Sequence, residues 1–296
     1  MAKNILHMVT PLAHMSPFDV NMALDAGYDA TVPYTNVSLG EVAGLVQDAM
    51  FSRSPRDAAR TGVFIGGKDA FLALDMLDHA AKALLKPFEI SLFADPAGSF
   101  TTAAAMIAVV KKVLREKKNR DLDGTAISIF GATGVVGTAA GVIGALEGAS
   151  VTFVAHDASN RTAARAAEAK RRFDCDIGVA DGSTPETKAL VLAKTEVALC
   201  AAKAGVRVLD AAQVAAAKKL LVAADVNAVP PLGVEGLDLQ ANGTPLGDHG
   251  ALGIGALAIG NVKYRTESGL FKQMTESAKA LKLDFRQAFE LAQTLA

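Results

Sequence analysis

Through the first 120 residues, short apolar runs that end at glycine, proline or aspartate alternate with longer stretches of helical character. Residues 3–9 predict a buried strand. Ser16 to Ala26 predicts a helix, with Ser16 as cap, Pro17 at the first helical position, Asp19 in the first turn and Gly27 as the stop. Val32-Pro33-Tyr34 reads as extended chain, and Leu39 to Ala49 as a second helix. A strand over Thr61–Ile65 ends at Gly66-Gly67 and leads into a helix from Asp69 to Leu85. A strand over Phe88–Ala94 runs into Asp95-Pro96-Ala97-Gly98-Ser99, followed by a helix from Phe100 to Lys118. Repetition of strand, loop and helix predicts a parallel sheet wrapped by helices.

The polar stretch 117–124 ends in Asp123-Gly124 and reads as a boundary. Beyond it lies a second series. Strands are predicted at Ala126–Phe130, Val151–Ala155, Ile177–Val179, Val197–Ala201 and Leu220–Ala223. Helices are predicted from Val135 through Glu147, at Ala163–Phe173 and at Thr184–Leu192. After Pro230-Pro231 the chain is marked by Gly233, Gly236, Gly243 and Gly247. Gly250–Gly260 is rich in glycine and alanine, and Gly269–Ala280 and Asp284–Leu295 read as helices. The expectation is an α/β protein of two domains. Residues 1–120, completed by helices in 261–296, form one domain, and residues 121–260 form a Rossmann-type domain, with a ligand cleft between them.

The second series opens with the turn Gly131-Ala132-Thr133-Gly134-Val135-Val136-Gly137, preceded by a strand and followed by a helix. Its GxxGxxG spacing serves the needs of a dinucleotide turn: a tight bend at Gly131, close approach of a pyrophosphate near Gly134, and helix–strand packing at Gly137. The amide groups at the helix start are donors for phosphate. The next strand ends at His156-Asp157, so a carboxylate lies about where such sites hold the adenosine ribose. NAD therefore suits this chain. Asn160 and Arg161, just beyond, are placed to reach the 2′-phosphate of NADP. Ala201, Ala202 and Lys203 follow another strand end and are candidates to line the cofactor groove. Asp225, Val226 and Asn227 follow a further one. For Asn227 two readings stand: a bond to the nicotinamide carboxamide, or an Asn turn before Pro230-Pro231.

Charge narrows the picture. Thirty Lys and Arg against 31 Asp and Glu give a net charge of −1, which argues against nucleic acid as a partner. The dense basic run Lys111–Arg120 reads as a solvated helix end. Cys175 and Cys200 are the only cysteines, without metal-ligand spacing, and no metal site is expected. Neither a signal peptide nor an uninterrupted apolar run of membrane length is read from the chain, so a cytoplasmic location is expected.

Several segments occur together in an unusual order: Ser16-Pro-Phe-Asp19, Phe64-Ile-Gly-Gly67, Asp95-Pro-Ala-Gly-Ser-Phe-Thr-Thr102, Ala224-Asp-Val-Asn-Ala-Val-Pro-Pro-Leu-Gly233 and Gly250-Ala-Leu-Gly-Ile-Gly255. They resemble the NAD(P)-dependent methylene-tetrahydromethanopterin dehydrogenases of methylotrophic bacteria, over nearly the whole chain and in the type that accepts either cofactor. The resemblance implies a homo-oligomer acting in formaldehyde oxidation. It implies direct hydride transfer from the methylene carbon of the reduced pterin to the nicotinamide ring, leaving a methenyl cation. No proton leaves the reacting carbon, so the site must position two rings and tolerate a positive charge. The absence of a Ser/His/Asp constellation agrees with that demand. A methylene-tetrahydrofolate dehydrogenase and a non-catalytic dinucleotide sensor remain the rival readings.

On this resemblance Phe18, Asp95 and Lys263 are the candidate catalytic residues. Asp19, Gly98, Ser99, Thr101, Thr102, Gly253 and Gly255 are candidates for substrate binding. Five of them have a plainer alternative: core packing for Phe18, a helix-dipole contact for Asp19, helix capping for Asp95 and Ser99, and an exposed position for Lys263. Relatives carry a lysine nearer the Gly250–Gly255 motif, where this chain has Ala258.

Overall fold

Glycine and proline punctuation sets many element ends in the computed structural model, which describes residues 2–157 and 159–296. In chain order the elements are β1 (Ile5–Val9), α1 (Pro17–Asp25), β2 (Ala30–Tyr34), α2 (Val42–Phe51), β3 (Thr61–Ile65), α3 (Ala70–Ala83), β4 (Ser91–Ala94) and α4 (Ser99–Lys118). There follow β5 (Ala126–Phe130), α5 (Val135–Leu146), β6 (Ser150–Ala155), α6 (Arg161–Phe173), β7 (Gly178–Asp181), α7 (Pro185–Leu192), β8 (Val197–Cys200), α8 (Ala211–Ala216) and β9 (Val222–Asp225). The last are β10 (Asn242–Leu246), β11 (Ala251–Ile254), α9 (Ala256–Glu276), β12 (Lys282–Leu283) and α10 (Phe285–Leu295). Caps fall where the side chains predict them. Ser16 accepts from the Asp19 amide at the start of α1, and the Asp69 carboxylate accepts from the Phe71 and Leu72 amides at the start of α3.

The chain divides into two compact units, Met1–Thr101 with Tyr264–Leu291 and Thr102–Lys263 with Ala292–Ala296. The division falls inside α4, α9 and α10, and the polar stretch 117–124 belongs to the second unit.

The first unit holds a five-stranded sheet in the order β2-β1-β3-β4-β12, parallel throughout. Its core gathers Phe64, Phe93 and Phe271, with ring centroids 5.2–5.5 Å apart. Phe271 lies on α9, which begins at Ala256, well before the helix predicted from Gly269. Buried Ile259, Val262, Thr266, Leu270 and Met274 recur at helical spacing, and this stripe carries the helix through Gly260 and Gly269. At Gly269 a Cβ would stand 2.8 Å from the Leu291 side chain, so that glycine lets α10 approach.

The second unit holds seven strands in the order β7-β6-β5-β8-β9-β11-β10, all parallel except β10, which runs antiparallel to β11. The first six follow the doubly wound order of dinucleotide-binding sheets, with the reversal between β5 and β8. The β10–β11 hairpin lies where Gly243 and Gly247 read as loop marks and 250–260 as a stretch rich in glycine and alanine.

The basic end of α4 is exposed at Arg115, Lys117 and Arg120, as predicted, and its lysines also tie down other parts of the unit. Lys117 Nζ donates to the Gly243 carbonyl at 2.7 Å, and Lys118 Nζ to the Gly250 carbonyl, so both ammonium groups fasten the hairpin. Lys112 Nζ donates to Ala296 O at 3.0 Å, and Lys111 pairs with Glu147. Pro96–Lys118 is long and apolar enough to cross a membrane by length and composition, but 78% of the apolar window is buried within the protein, as in a core helix.

Candidate functional site

The turn after β5 is built as a cradle, and its three glycines do different work. Gly131 has φ +85°, and a Cβ there would stand 2.4 Å from the Ala201 carbonyl oxygen, so the turn packs against the end of β8. At Gly137 a Cβ would meet Gly131 O at 2.5 Å, so that glycine lets α5 lie on the turn. Gly134 is exposed, and a Cβ there would meet little beyond Gly131 O at 3.3 Å. As the N-cap of α5 it has no side chain to satisfy the first-turn amides, which are thereby left for a ligand. Ala132 is buried and its carbonyl accepts from Thr138 Oγ1 at 2.8 Å; Thr133, Val135 and Val136 are half-buried along the rim.

A pocket of ≈ 540 Å³ opens above this turn. It is lined by Gly131, Thr133, Gly134, His156, Ala201, Ala202 and Lys203, all predicted from the sequence. Gly182, Lys188, Val206, Arg207 and Val208 also line it and were not predicted. Gly182 follows β7, and its amide donates to Ala155 O at 2.8 Å, which sets that loop beside the end of β6. A carboxyl-end position on a parallel strand is the signal that would have found Gly182. The 206–208 stretch carries no such signal, because its placement is set from far along the chain, where the Gly233 carbonyl accepts from the Val208 and Leu209 amides.

At the end of β6, Asp157 belongs to a small charged network. Its carboxylate accepts from the Ser159 amide and hydroxyl and from Arg161 at 2.7 Å, with His156 Nε2 at 3.3 Å. The Ser159 hydrogen bonds, then Arg161, hold the Asp157 carboxyl down at about 2. Arg161 Nε also donates to Ser159 Oγ at 3.1 Å. Asn160 is the N-cap of α6 without a side-chain capping bond. Ala158, within this loop, lies outside the described residues.

The residues predicted after β9 serve their own loop. Asp225 is buried and accepts from the amides of Asn227 (2.9 Å), Gly233 (2.7 Å) and Val234 (3.2 Å). Burial pushes its carboxyl up, against the pull of those three donors. Asn227 Oδ1 accepts from the Val229 amide and its Nδ2 donates to Pro231 O, so its side chain fills the turn role rather than pointing to a carboxamide. Val226 donates its amide to Cys200 O and bridges β9 to β8.

In the first unit the sheet order reverses between β1 and β3, and the loops at the carboxyl ends of the strands meet there. The Cβ position of Gly67 lies 3.5 Å from Pro11 and 4.0 Å from Pro96, and that of Gly66 lies 3.4 Å from Met15 Sδ. Phe18, on the first turn of α1, is 47% exposed and is therefore not a core side chain. Asp19 behind it is buried.

Asp95 carries out the capping role. It has no exposed surface; Oδ1 accepts from the amides of Phe100 (2.7 Å) and Thr101 (3.3 Å), and Oδ2 from Thr101 Oγ1 (2.6 Å). Thr101 is equally buried, so these two predicted contact residues hold the loop from within. Ser99 and Gly98 are also buried, and Gly98 sits at φ +62° beside Ala97 at +53°. Thr102 and Lys263 are half-buried in the second unit, the latter on α9. Asp95→Ala should leave two amides and a hydroxyl without their buried acceptor, a loss of about 2–4 kcal/mol in stability. Urea denaturation measures it, and an unchanged midpoint would remove the capping role.

Gly253 and Gly255, predicted for substrate, pack against the protein itself. A Cβ at Gly253 would meet Leu237 at 2.3 Å, and one at Gly255 the Asp238 carbonyl oxygen at 2.2 Å. They let the chain turn from β11 into α9 under the 238–241 loop. Among the described residues no group of His, Cys, Asp and Glu forms a metal site.

A family model described as methylene-tetrahydromethanopterin dehydrogenase, N-terminal, matches residues 17–97. The chain is 53% identical, over all 296 residues and the whole of the relative, to the NAD(P)-dependent methylenetetrahydromethanopterin dehydrogenase of Methylorubrum extorquens. It is 28% identical over the same full lengths to the bifunctional protein MdtA of that organism. Among solved structures, ligand-free 5-ketofructose reductase of Gluconobacter sp. strain CHM43 superposes with a TM-score of 0.51 at 18% identity, covering 100% of this chain and 99% of that one, a likeness of fold. The chain belongs to the NAD(P)-dependent methylenetetrahydromethanopterin dehydrogenase family.

Proposed function

We propose that this protein oxidises methylene-tetrahydromethanopterin to the methenyl form by hydride transfer to NAD or NADP. What carries the reading is the open cradle at Gly134 in a chain that matches a dehydrogenase of this name over its full length. The residues fit a dinucleotide: an exposed glycine at an uncapped helix start, small Ala201 and Ala202 opposite it, and a pocket with room above. When bound, the nicotinamide ring supplies the hydride acceptor.

The chain's own groups bind and orient. The first-turn amides of α5 hold the pyrophosphate, and the end of β6 holds the adenosine ribose. The charged pair Asp157 and Arg161 offers acceptor and donor at one place, which suits the use of both cofactors. On the substrate side, exposed Phe18 offers a face for stacking. Asp95 and Thr101 position the loop that precedes α4. No general base is needed at the reacting carbon. A homo-oligomer in the cytoplasm belongs to the same proposal; two buried free cysteines suit a reducing compartment.

Turnover of methylene-tetrahydromethanopterin with NAD and with NADP, against methylene-tetrahydrofolate, tests the substrate. Pterin deuterated at the methylene should deliver its label to the reduced nicotinamide. Label found in water would sink the direct-transfer reading, and faster turnover of the folate would reassign the substrate.

A further inference from the structure

The lining of the pocket in the second unit includes Lys188, Lys203, Arg207 and His156 and no carboxylate. His156 stands 3.3 Å from the Asp157 carboxylate, and two of the three basic side chains are engaged with the pocket wall. Lys188 Nζ donates to Val208 O at 2.7 Å. Arg207 Nε donates to Leu232 O at 2.8 Å, and its guanidinium pairs with Glu235 at 2.9 Å. Both hold the pocket wall in place. Lys203 is exposed, and among the described residues its ammonium group makes no hydrogen bond or ion pair; only its backbone carbonyl is engaged, by the Val206 amide.

The position of Lys203 gives that spare charge a purpose. It follows Ala201 and Ala202, whose backbone atoms lie 2.4–2.6 Å from the Cβ position of Gly131, so it leaves the end of β8 directly beside the glycine turn. A pyrophosphate brings two negative charges. The start of a helix offsets roughly half of one charge, and residues 131–137 contain no charged side chain. Most of the anionic charge therefore needs a cation from elsewhere, inside a pocket that is partly shielded from water.

We propose that Lys203 is the pyrophosphate-pairing residue of this pocket, serving NAD and NADP equally. The assignment rests on the dinucleotide reading above. It differs from the role of Arg161, which sits at the ribose and bears on NADP alone.

The test is titration of NADH, NADPH, ADP-ribose and adenosine against the wild-type protein, Lys203→Gln and Lys203→Arg. Lys203→Gln should raise the Kd of the three phosphate-bearing ligands roughly tenfold, flatten its dependence on salt and leave adenosine unaffected. Lys203→Arg should recover most of the affinity. An unchanged Kd in Lys203→Gln, a loss confined to NADPH, or an equal loss for adenosine would overturn the assignment. Failure of the wild type to bind NADH and ADP-ribose would overturn the dinucleotide reading, and this one with it.

Discussion

Gly134→Val is expected to fold as the parent does and to bind NADH and NADPH at least a hundredfold more weakly. The backbone at Gly134 has φ −73° and ψ 163°, a conformation open to any residue, and its Cβ position meets Gly131 O at 3.3 Å and Ala201 O at 3.9 Å. The valine methyls then occupy the space above the first-turn amides. Displacing the pyrophosphate forfeits two charge-assisted hydrogen bonds, each worth about 1.5–3 kcal/mol, so two to four orders of magnitude in Kd are at stake. Gly137→Val is the contrasting variant. Its Cβ would meet backbone at 2.5–2.9 Å, so the loss there falls on folding. Thermal melts and cofactor titrations separate the two. If Gly134→Val keeps its cofactor affinity while folded, the pyrophosphate does not lie on this turn.

The second large effect concerns the choice between cofactors. Asp157 is ionised at any working pH, since Ser159 and Arg161 hold its carboxyl at about 2. In Asp157→Ala the Arg161 guanidinium loses its partner at 2.7 Å and is released toward a 2′-phosphate. The ratio of kcat/KM for NADP over NAD should rise roughly tenfold. Arg161→Ala should lower NADP use by a similar factor and spare NAD. Steady-state kinetics with both cofactors in both variants decides it. An Arg161→Ala enzyme indifferent to either cofactor would make the pair a surface ornament.

Much of the fold was legible because the chain marks its own boundaries. Ser16-Pro17, Asp69, Gly66-Gly67 and the Gly131 turn are local signals, and local hydrogen bonding decides their conformation. The tail was less legible for the opposite reason. Gly253 and Gly255 read as substrate-binding glycines, yet they mark close packing of a strand and a helix start against the 237–241 segment, a contact no local pattern reveals. Gly260 and Gly269 hid the first half of α9, whose helical stripe is held by burial. At the candidate site, the glycine turn and the ends of β6 and β8 followed from strand ends alone. Asp225 and Asn227 stand at a strand end too, but the amides of Gly233 and Val234 and the Pro231 carbonyl claim them. Lys188 and Arg207 were missed because residues far along the chain set their placement.

The outermost strands bear on how copies of this protein can meet. In the first sheet, β2 carries Pro33 and β12 is two residues long. In the second, β10 carries Pro245 and β7 is four residues long. Proline and brevity both spoil the row of amide and carbonyl groups that another strand would need. Neither sheet therefore offers a template for continuation into a neighbouring molecule, which also protects the protein from edge-to-edge aggregation. Association between copies of this chain would run through its helices and loops, with each sheet ending inside its own protomer.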